Sequence, residues 1–279
     1  MKSLKYLAIA IIAVTMAACG DDEPSSSFTR EFNMIYPQLA AGHKFITKIE
    51  RNYDNGASSV ATASYDGDHL KSIKVVNRDK NGSLHNDETI YFDYKNGAIV
   101  CDKNIQDVTY AFEVNSMGAI TRLKNVTTSQ TISSLTYNES NEMELAQTIS
   151  QSATATTKFK WNGGKLDEWV MNRPDDSDSV KYAYGTYPNK GGIAIPHNAS
   201  LTFTVFVCAI IRNAGLMGAT SSYLPVAFYR GLDIANTNQE TGETPLKQYP
   251  ISYEFDADGY VTSYTTTESP KYTVKFTYR

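Results

Sequence analysis

Cysteine and histidine are both scarce in this 279-residue chain, at three and four residues. None stands in a C-x-x-C, an H-E-x-x-H or any other metal-ligating spacing, so no metal centre is expected. The four histidines, His43, His69, His85 and His197, lie in polar or turn contexts with no nucleophile elbow nearby, which leaves a catalytic triad without an anchor. No cofactor loop is present, and no cofactor is expected. Basic residues are not in excess: 26 Lys and Arg face 30 Asp and Glu, a net charge of -4. A phosphate backbone would find no surface to neutralise it, which argues against nucleic acid as a partner. No apolar run approaches the roughly twenty residues of a permanent membrane helix. What remains, 41% hydrophobic and only 20% charged, is the make-up of one folded domain with a sizeable core.

The N-terminus reads as an address. Lys2 and Lys5 precede an uncharged apolar run from Tyr6 to Met16, the n-region and h-region of a secretory signal. The run ends in Met16-Ala17-Ala18-Cys19, which resembles a bacterial lipobox, with cleavage after residue 18 and acyl chains on Cys19. Met in place of the usual Leu is the one departure. Acyl chains would then hold the protein to the membrane without a span. Asp21, Asp22 and Glu23 follow directly, and such an acidic cluster resembles the surface-export signal of Bacteroidetes lipoproteins. The composition of Gly20 to Ser27 also suits a flexible tether, and both readings hold together. The expected organisation is a signal peptide at 1–18, a lipidated tether at 19–44 and a β domain at 45–279. The expected location is the surface of the outer membrane, with its periplasmic face as the alternative.

Beyond residue 44 the apolar pattern has period two. Ile90, Phe92 and Tyr94 share one parity, as do Tyr110, Phe112 and Val114, and Tyr272, Val274, Phe276 and Tyr278. Between these strands stand Asp54-Asn55-Gly56, Asp66-Gly67, Lys95-Asn96-Gly97, Asn162-Gly163-Gly164 and Asp256-Ala257-Asp258-Gly259, residues that accept tight hairpin turns. Return strands restart at Leu70, Ile99, Ile120, Met143, Leu166, Ile193 and Val261, which makes the hairpin an internal repeat. The expected fold is mainly β: an antiparallel meander of a dozen or more strands forming a curled sheet or open barrel. Charges on both faces of many strands argue against a lipid-facing band. Phe92, Phe112, Trp161, Phe255 and Phe276 are expected in the core. One segment breaks the pattern, an apolar insertion near 196–248 predicted to hold a short helix from about Val205 to Met217 that plugs the sheet. Cys101 and Cys208 sit in apolar stretches and read as buried free thiols, with a disulfide as the alternative.

The lipobox, the hairpin repeats, and the insertion with Gly215-Leu216-Met217-Gly218 and Tyr223-Leu224-Pro225 together resemble a Bacteroidetes family of uncharacterised lipoproteins, a domain of unknown function with a porin-like fold. The hairpins are similar also to YD-repeat sequences. Ala219-Thr220-Ser221-Ser222 stands where that family tends to carry basic residues. The resemblance implies a curled sheet and no established activity, so no site residue is carried over.

Candidate sites are few. Asp256, Asp258 and Gly259 echo the opening of a calcium loop, but its twelfth position is Thr267 and Glu268 comes one residue late, so a hairpin turn is the expectation. Asp175, Asp176 and Asp178 are the acidic loop of the enzymatic alternative, a surface glycan hydrolase; a solvated turn is the simpler reading. Asp178-Ser179-Val180 matches a three-residue O-glycosylation signal, which makes Ser179 a candidate acceptor. Nineteen tyrosines with Trp161 and Trp169 suit either a sugar-stacking surface or a half-buried sheet. With no catalytic residue identified, a non-catalytic module that binds a glycan, peptide or partner protein is preferred.

Cys19→Ala is expected to leave the precursor unprocessed or its product soluble, measured by fractionating washed outer membranes; finding the variant still in those membranes overturns the lipidation reading.

Overall fold

The computed structural model describes residue 39 and residues 42–95, 98–103, 108–149, 154–174, 177–193, 205–231 and 247–279. Cys19, Asp21, Asp22, Glu23, Asp175, Asp176 and His197 lie outside them. Sixteen strands follow one another through the described residues, interrupted once by a helix. They are β1 (Ile46–Tyr53), β2 (Ser58–Asp66), β3 (His69–Arg78), β4 (Leu84–Lys95), β5 (Ala98–Lys103), β6 (Val108–Val114), β7 (Ile120–Asn125) and β8 (Thr131–Tyr137). Then come β9 (Met143–Ile149), β10 (Thr154–Asn162), β11 (Lys165–Asn172), β12 (Ser177–Pro188), α1 (Val205–Asn213), β13 (Tyr223–Gly231), β14 (Lys247–Phe255), β15 (Val261–Thr266) and β16 (Tyr272–Tyr278). Each strand pairs antiparallel with its sequence neighbours, the meander expected from the hairpin repeat. Closure, which periodicity leaves open, comes from the first and last strands: Ile49 stands opposite Phe276 and Tyr53 opposite Tyr272.

Alternation decides what faces inward. Ile49, Ile73, Ile90, Phe92, Phe112, Leu123, Leu135, Trp169, Val180, Phe228 and Val274 all turn into the lumen and are buried. The outer face carries cross-strand ion pairs instead, Lys74 with Asp87, Lys124 with Glu113, Lys160 with Asp167 and Lys181 with Glu168. Each such pair contributes little to stability. Their place on the wall still matters, because a band facing hydrocarbon would not carry them. Among the described residues no helix is long and apolar enough to cross a membrane.

The core expectation needs two corrections. Phe92, Phe112 and Phe276 are buried, but Phe255 is 37% exposed and Trp161 only half-buried. Both lie at one rim of the barrel beside a β-bulge, at Glu254/Phe255 and Lys160/Trp161, where the lumen opens. Phe255 packs there against Tyr187, ring centroids 5.3 Å apart.

At that same rim an aromatic side chain closes strand pair after strand pair. The Tyr65 hydroxyl donates to the Ile46 carbonyl, Tyr94 to Leu70, Tyr137 to Ile120, Tyr184 to Leu166, Tyr253 to Pro225 and Tyr278 to Val261, at 2.6 to 3.1 Å. Trp161 does the same through its ring N–H to the Met143 carbonyl at 2.7 Å. In each case a ring near the end of an even-numbered strand satisfies a carbonyl near the start of the odd-numbered strand before it. Such carbonyls would otherwise be stranded under apolar side chains. Most of these acceptors are the residues at which the sequence repeat restarts. Ile99 and Ile193 are the restarts not among them: Ile99 opens β5 without such a bond among the described residues, and Ile193 begins no described strand, Pro225 of β13 taking the corresponding place.

Helix α1 is apolar nearly all round, which demands burial on every side. Phe206, Val207, Cys208, Ala209, Ile210 and Ile211 are all buried, and the helix packs against β1, β2 and β3. Cys208 is buried, as expected; the side chain of Cys101 on β5 lies outside the described residues. The helix is shorter than predicted because Gly215, at φ +80°, ends it. The Leu216 N–H returns to the Ile211 carbonyl and the Gly215 N–H to the Arg212 carbonyl, the paired bonds of a Schellman cap. Gly218 is required for space: a Cβ there would lie 2.5 Å from the Asn141 carbonyl oxygen and 2.6 Å from the Tyr137 ring. Tyr223–Gly231, inside the expected insertion, is wall strand β13.

Asn213 fastens the helix to the wall. Its Oδ1 accepts the Ile46 N–H at 2.7 Å, and its Nδ2 donates to the Gly191 carbonyl at 2.7 Å. His43 Nε2 lies 2.9 Å from the Asn213 carbonyl, and burial pushes this imidazole below its ordinary pKa, with that hydrogen bond opposing the shift.

Two expectations follow. Phe112→Ala is expected to cost about 3 to 5 kcal/mol in denaturant unfolding, since Phe112 is fully enclosed. Phe255→Ala at the rim should cost well under half of that, and the reverse order would invert the inside–outside assignment. For His43 the lowered pKa means that the unfolded chain takes up a proton first as pH falls through about 6.5. Stability is therefore expected to decline from about pH 6.5 downward, and His43→Gln to flatten that decline above the carboxylate range. Equal pH slopes of melting temperature for both proteins would remove His43 from the account.

Candidate functional site

Every hairpin turn joining an even-numbered strand to the next odd-numbered one lies at the rim where β1 begins. Residues 214–222 run across this end. The Leu216 carbonyl accepts the Ile120 N–H, the Ala219 N–H reaches the Asn141 carbonyl, and the Ser222 N–H reaches the Gly164 carbonyl. The strap touches β7, the β8–β9 turn and the β10–β11 turn in succession. Beneath it is a cavity of about 40 Å³, lined by α1, the strap and strands β9 to β13.

Aromatic rings form much of that lining: Phe159, Trp161, Tyr182, Tyr184 and Tyr223. Trp161 has spent its N–H on Met143, so its ring face is what it offers. Lys165 Nζ lies 4.6 Å from the Tyr223 ring centroid and 5.9 Å from that of Tyr184, bringing a cation to the mouth. The polar members are tightly organised. Ser221 Oγ accepts the Leu166 N–H at 3.0 Å and stands 2.9 Å from the Tyr184 hydroxyl, which donates to the Leu166 carbonyl at 2.8 Å. With Ser221 donating to Tyr184, the three bonds close a ring and every proton is placed. Burial pushes the Tyr184 phenol up to about 12, so it remains a hydrogen-bonding group and not a base at neutral pH. Asn189 is committed as well: its Nδ2 donates to the Ile193 and Ser221 carbonyls and its Oδ1 accepts the Ile193 N–H.

Arg212 differs from these neighbours. It lines the cavity from the last turn of α1, and the ionisable groups acting on it are the Cys208 thiol and the Tyr137 phenol, not a carboxylate. Its Nε is buried without a hydrogen-bond partner. Desolvation by the surrounding protein holds its pKa below the ordinary guanidinium value.

The residues singled out in the sequence fall elsewhere, Trp161 excepted. Asp178 is buried on β12, not in a solvated turn, and grips Arg230 through both oxygens, Oδ2 to Nη2 at 2.7 Å and Oδ1 to Nε at 3.3 Å. Glu268 holds the other side of Arg230 at 2.6 Å. Ser179 lies within β12 between inward-facing Asp178 and Val180, half-buried and turned to the outer face. Asp256 organises the β14–β15 turn, its Oδ1 accepting the Asp258 and Tyr260 N–H groups, while Lys44 pairs with Asp256 and Asp258. The expected hairpin turn is what these residues build. Trp169 is part of the buried core, His85 lies on β4, and the His69 ring packs on Tyr94. Sequence reading missed Arg212, Asn213, Asn189 and Ser221. The available signal is a lone Arg212-Asn213 pair at the end of an apolar run, and nothing in the sequence shows what surrounds it.

No family model and no curated protein matches this sequence. Solved structures do match in fold. A porin-like protein from Bacteroides uniformis ATCC 8492 aligns with a TM-score of 0.60 at 14% identity, over 84% of this chain and 98% of its own. A second, from Bacteroides vulgatus ATCC 8482, aligns with a TM-score of 0.51 at 11% identity, over 85% and 99%. The porin-like fold expected from the hairpins and the insertion is therefore shared with these Bacteroides proteins.

Proposed function

We propose that this chain is an outer-membrane lipoprotein, held by acyl chains on Cys19 and displayed at the cell surface, whose filled barrel is a non-catalytic module binding a glycan. The observation that carries the reading is the rim cavity, where rings of Trp161, Tyr184 and Tyr223 stand around hydroxyls fixed by hydrogen bonds. Flat rings beside fixed polar groups suit a sugar, which presents apolar faces and hydroxyl edges together. The Ser221 and Tyr184 hydroxyls are engaged with each other and with backbone, an arrangement suited to recognition more than to proton transfer. Asp178 serves as partner to Arg230, which removes it from the acid–base pair that the hydrolase alternative would need. The outer wall, studded with ion pairs, suits a barrel held beside the membrane by a tether. The low-identity structural neighbours support the fold of this picture and not its ligand.

The full mature protein in detergent is expected to retain a subset of glycans on an array and to leave those same glycans uncleaved on prolonged incubation. Release of reducing ends from a retained glycan would make it an enzyme, and retention of none would remove the glycan reading.

A further inference from the structure

Among the described residues three arginines, Arg51, Arg212 and Arg230, have their side chains inside the barrel, and the barrel treats them differently. Arg230 sits between Asp178 and Glu268, so its charge is matched within the fold. Arg51 is enclosed by rings, its guanidinium carbon 4.4 Å from the Phe206 centroid and 4.7 Å from that of Tyr272, and its Nη1 donates to the Tyr53 hydroxyl at 2.9 Å. Those π-faces and the Tyr53 hydroxyl are its partners, although its Nε, too, is buried without one. Arg212 has neither a carboxylate nor a ring stacked on it among the described residues, and it borders a cavity. A guanidinium whose Nε is enclosed and that has no anion beside it carries a desolvation cost, which makes it a candidate functional group.

We infer that Arg212 receives the carboxylate of an acidic sugar residue, a uronic acid, whose ring packs at the mouth against Trp161 and Tyr223. The inference rests on the glycan-binding reading and narrows it. The planar guanidinium fork matches a carboxylate with two parallel hydrogen bonds, here through its Nη1 and Nη2 end, since Nε is enclosed. The cavity, about 40 Å³, has room for about three waters, which suits a carboxylate at its floor with the sugar ring left in the wider mouth. Lys165 beside Tyr223 adds a second positive charge where an acidic chain would continue. No carboxylate stands among the lining residues to repel it.

The test is calorimetry on the full mature protein with uronic acid disaccharides, digalacturonate and diglucuronate, against neutral digalactose and diglucose. The acidic sugars are expected to bind about ten- to a hundredfold more tightly than their neutral counterparts. Arg212→Met should lower their affinity to the neutral level while melting at the same or a higher temperature, because it removes an unpaired buried charge. Arg212→Lys should fall between. Should Arg212→Met fail to fold, the acidic-against-neutral ratio on the unaltered protein decides the matter alone. Equal affinity for acidic and neutral sugars, or full acidic-sugar binding by Arg212→Met, overturns the role of Arg212 and leaves glycan binding standing. No binding of either class here, together with no retention on the array, overturns both.

Discussion

Closing sixteen strands into one ring creates an interior that wall side chains alone do not fill. Barrels of this strand number ordinarily keep an aqueous channel. Here most of the described inward positions are apolar or aromatic, Ile, Leu, Phe, Val and Tyr foremost, so water in the lumen would lie against apolar surface at a cost of about 25 cal/mol per Å². The fold needs an object to fill that space, and the chain supplies one between β12 and β13. Helix α1 is apolar nearly all round for this reason, and the Schellman cap at Gly215 turns the chain out of the lumen onto the rim. A porin-like wall and a solid core are thus compatible: strand count sets the ring, and the insertion decides whether it conducts or packs.

The rim is where this solution is most demanding. Even-to-odd turns come with β-bulges at Ser64/Tyr65, Glu113/Val114, Thr136/Tyr137, Lys160/Trp161 and Glu254/Phe255, and a bulge interrupts the ladder that satisfies backbone groups. Tyrosine hydroxyls, and the Trp161 ring N–H in one pair, reach the carbonyls left under the core. The abundance of tyrosine thereby acquires a structural cause: a residue was needed that buries a ring and keeps one donor at its tip. Phenylalanine would fill the same volume and leave the carbonyl unpaired, at about 1 to 3 kcal/mol for each buried group. Where the strap crosses the rim such rings gain a second face, toward the cavity.

The wall was legible in the sequence because its signals are local. Alternation placed Ile90, Phe92 and Phe112 on one face, Asx-Gly pairs placed the turns, and the spacing of Leu70, Ile120, Met143 and Leu166 marked the repeat. Phe255 has the inward parity, and parity is silent about how near a residue lies to the mouth. Ile193 resembled another restart because the detour through α1 postpones the partner of β12 to Tyr223–Gly231, a pairing that no local pattern encodes. The candidate site was the least visible part. It unites Trp161 of β10, Tyr184 of β12, Arg212 of α1 and Ser221 of the strap, brought together only by closure of the ring and the seating of the helix. Trp161 was noted as a sugar-stacking type, but nothing linear joins it to an arginine fifty-one positions later.

Seating the plug also fixes where the backbone of Arg212 stands. Asn213, the next residue, is held on three backbone groups, at Ile46, Lys44 and Gly191, which fixes the last turn of α1 against the start of β1 and the end of β12. Its neighbour Arg212 therefore starts from a fixed backbone and lies in the cavity lining, near Tyr137. A surface arginine would trade an absent partner for water at little cost, whereas this one is kept in place by packing that serves the whole fold. The anchoring that seats the plug therefore also maintains a desolvated positive charge at the cavity beneath the strap.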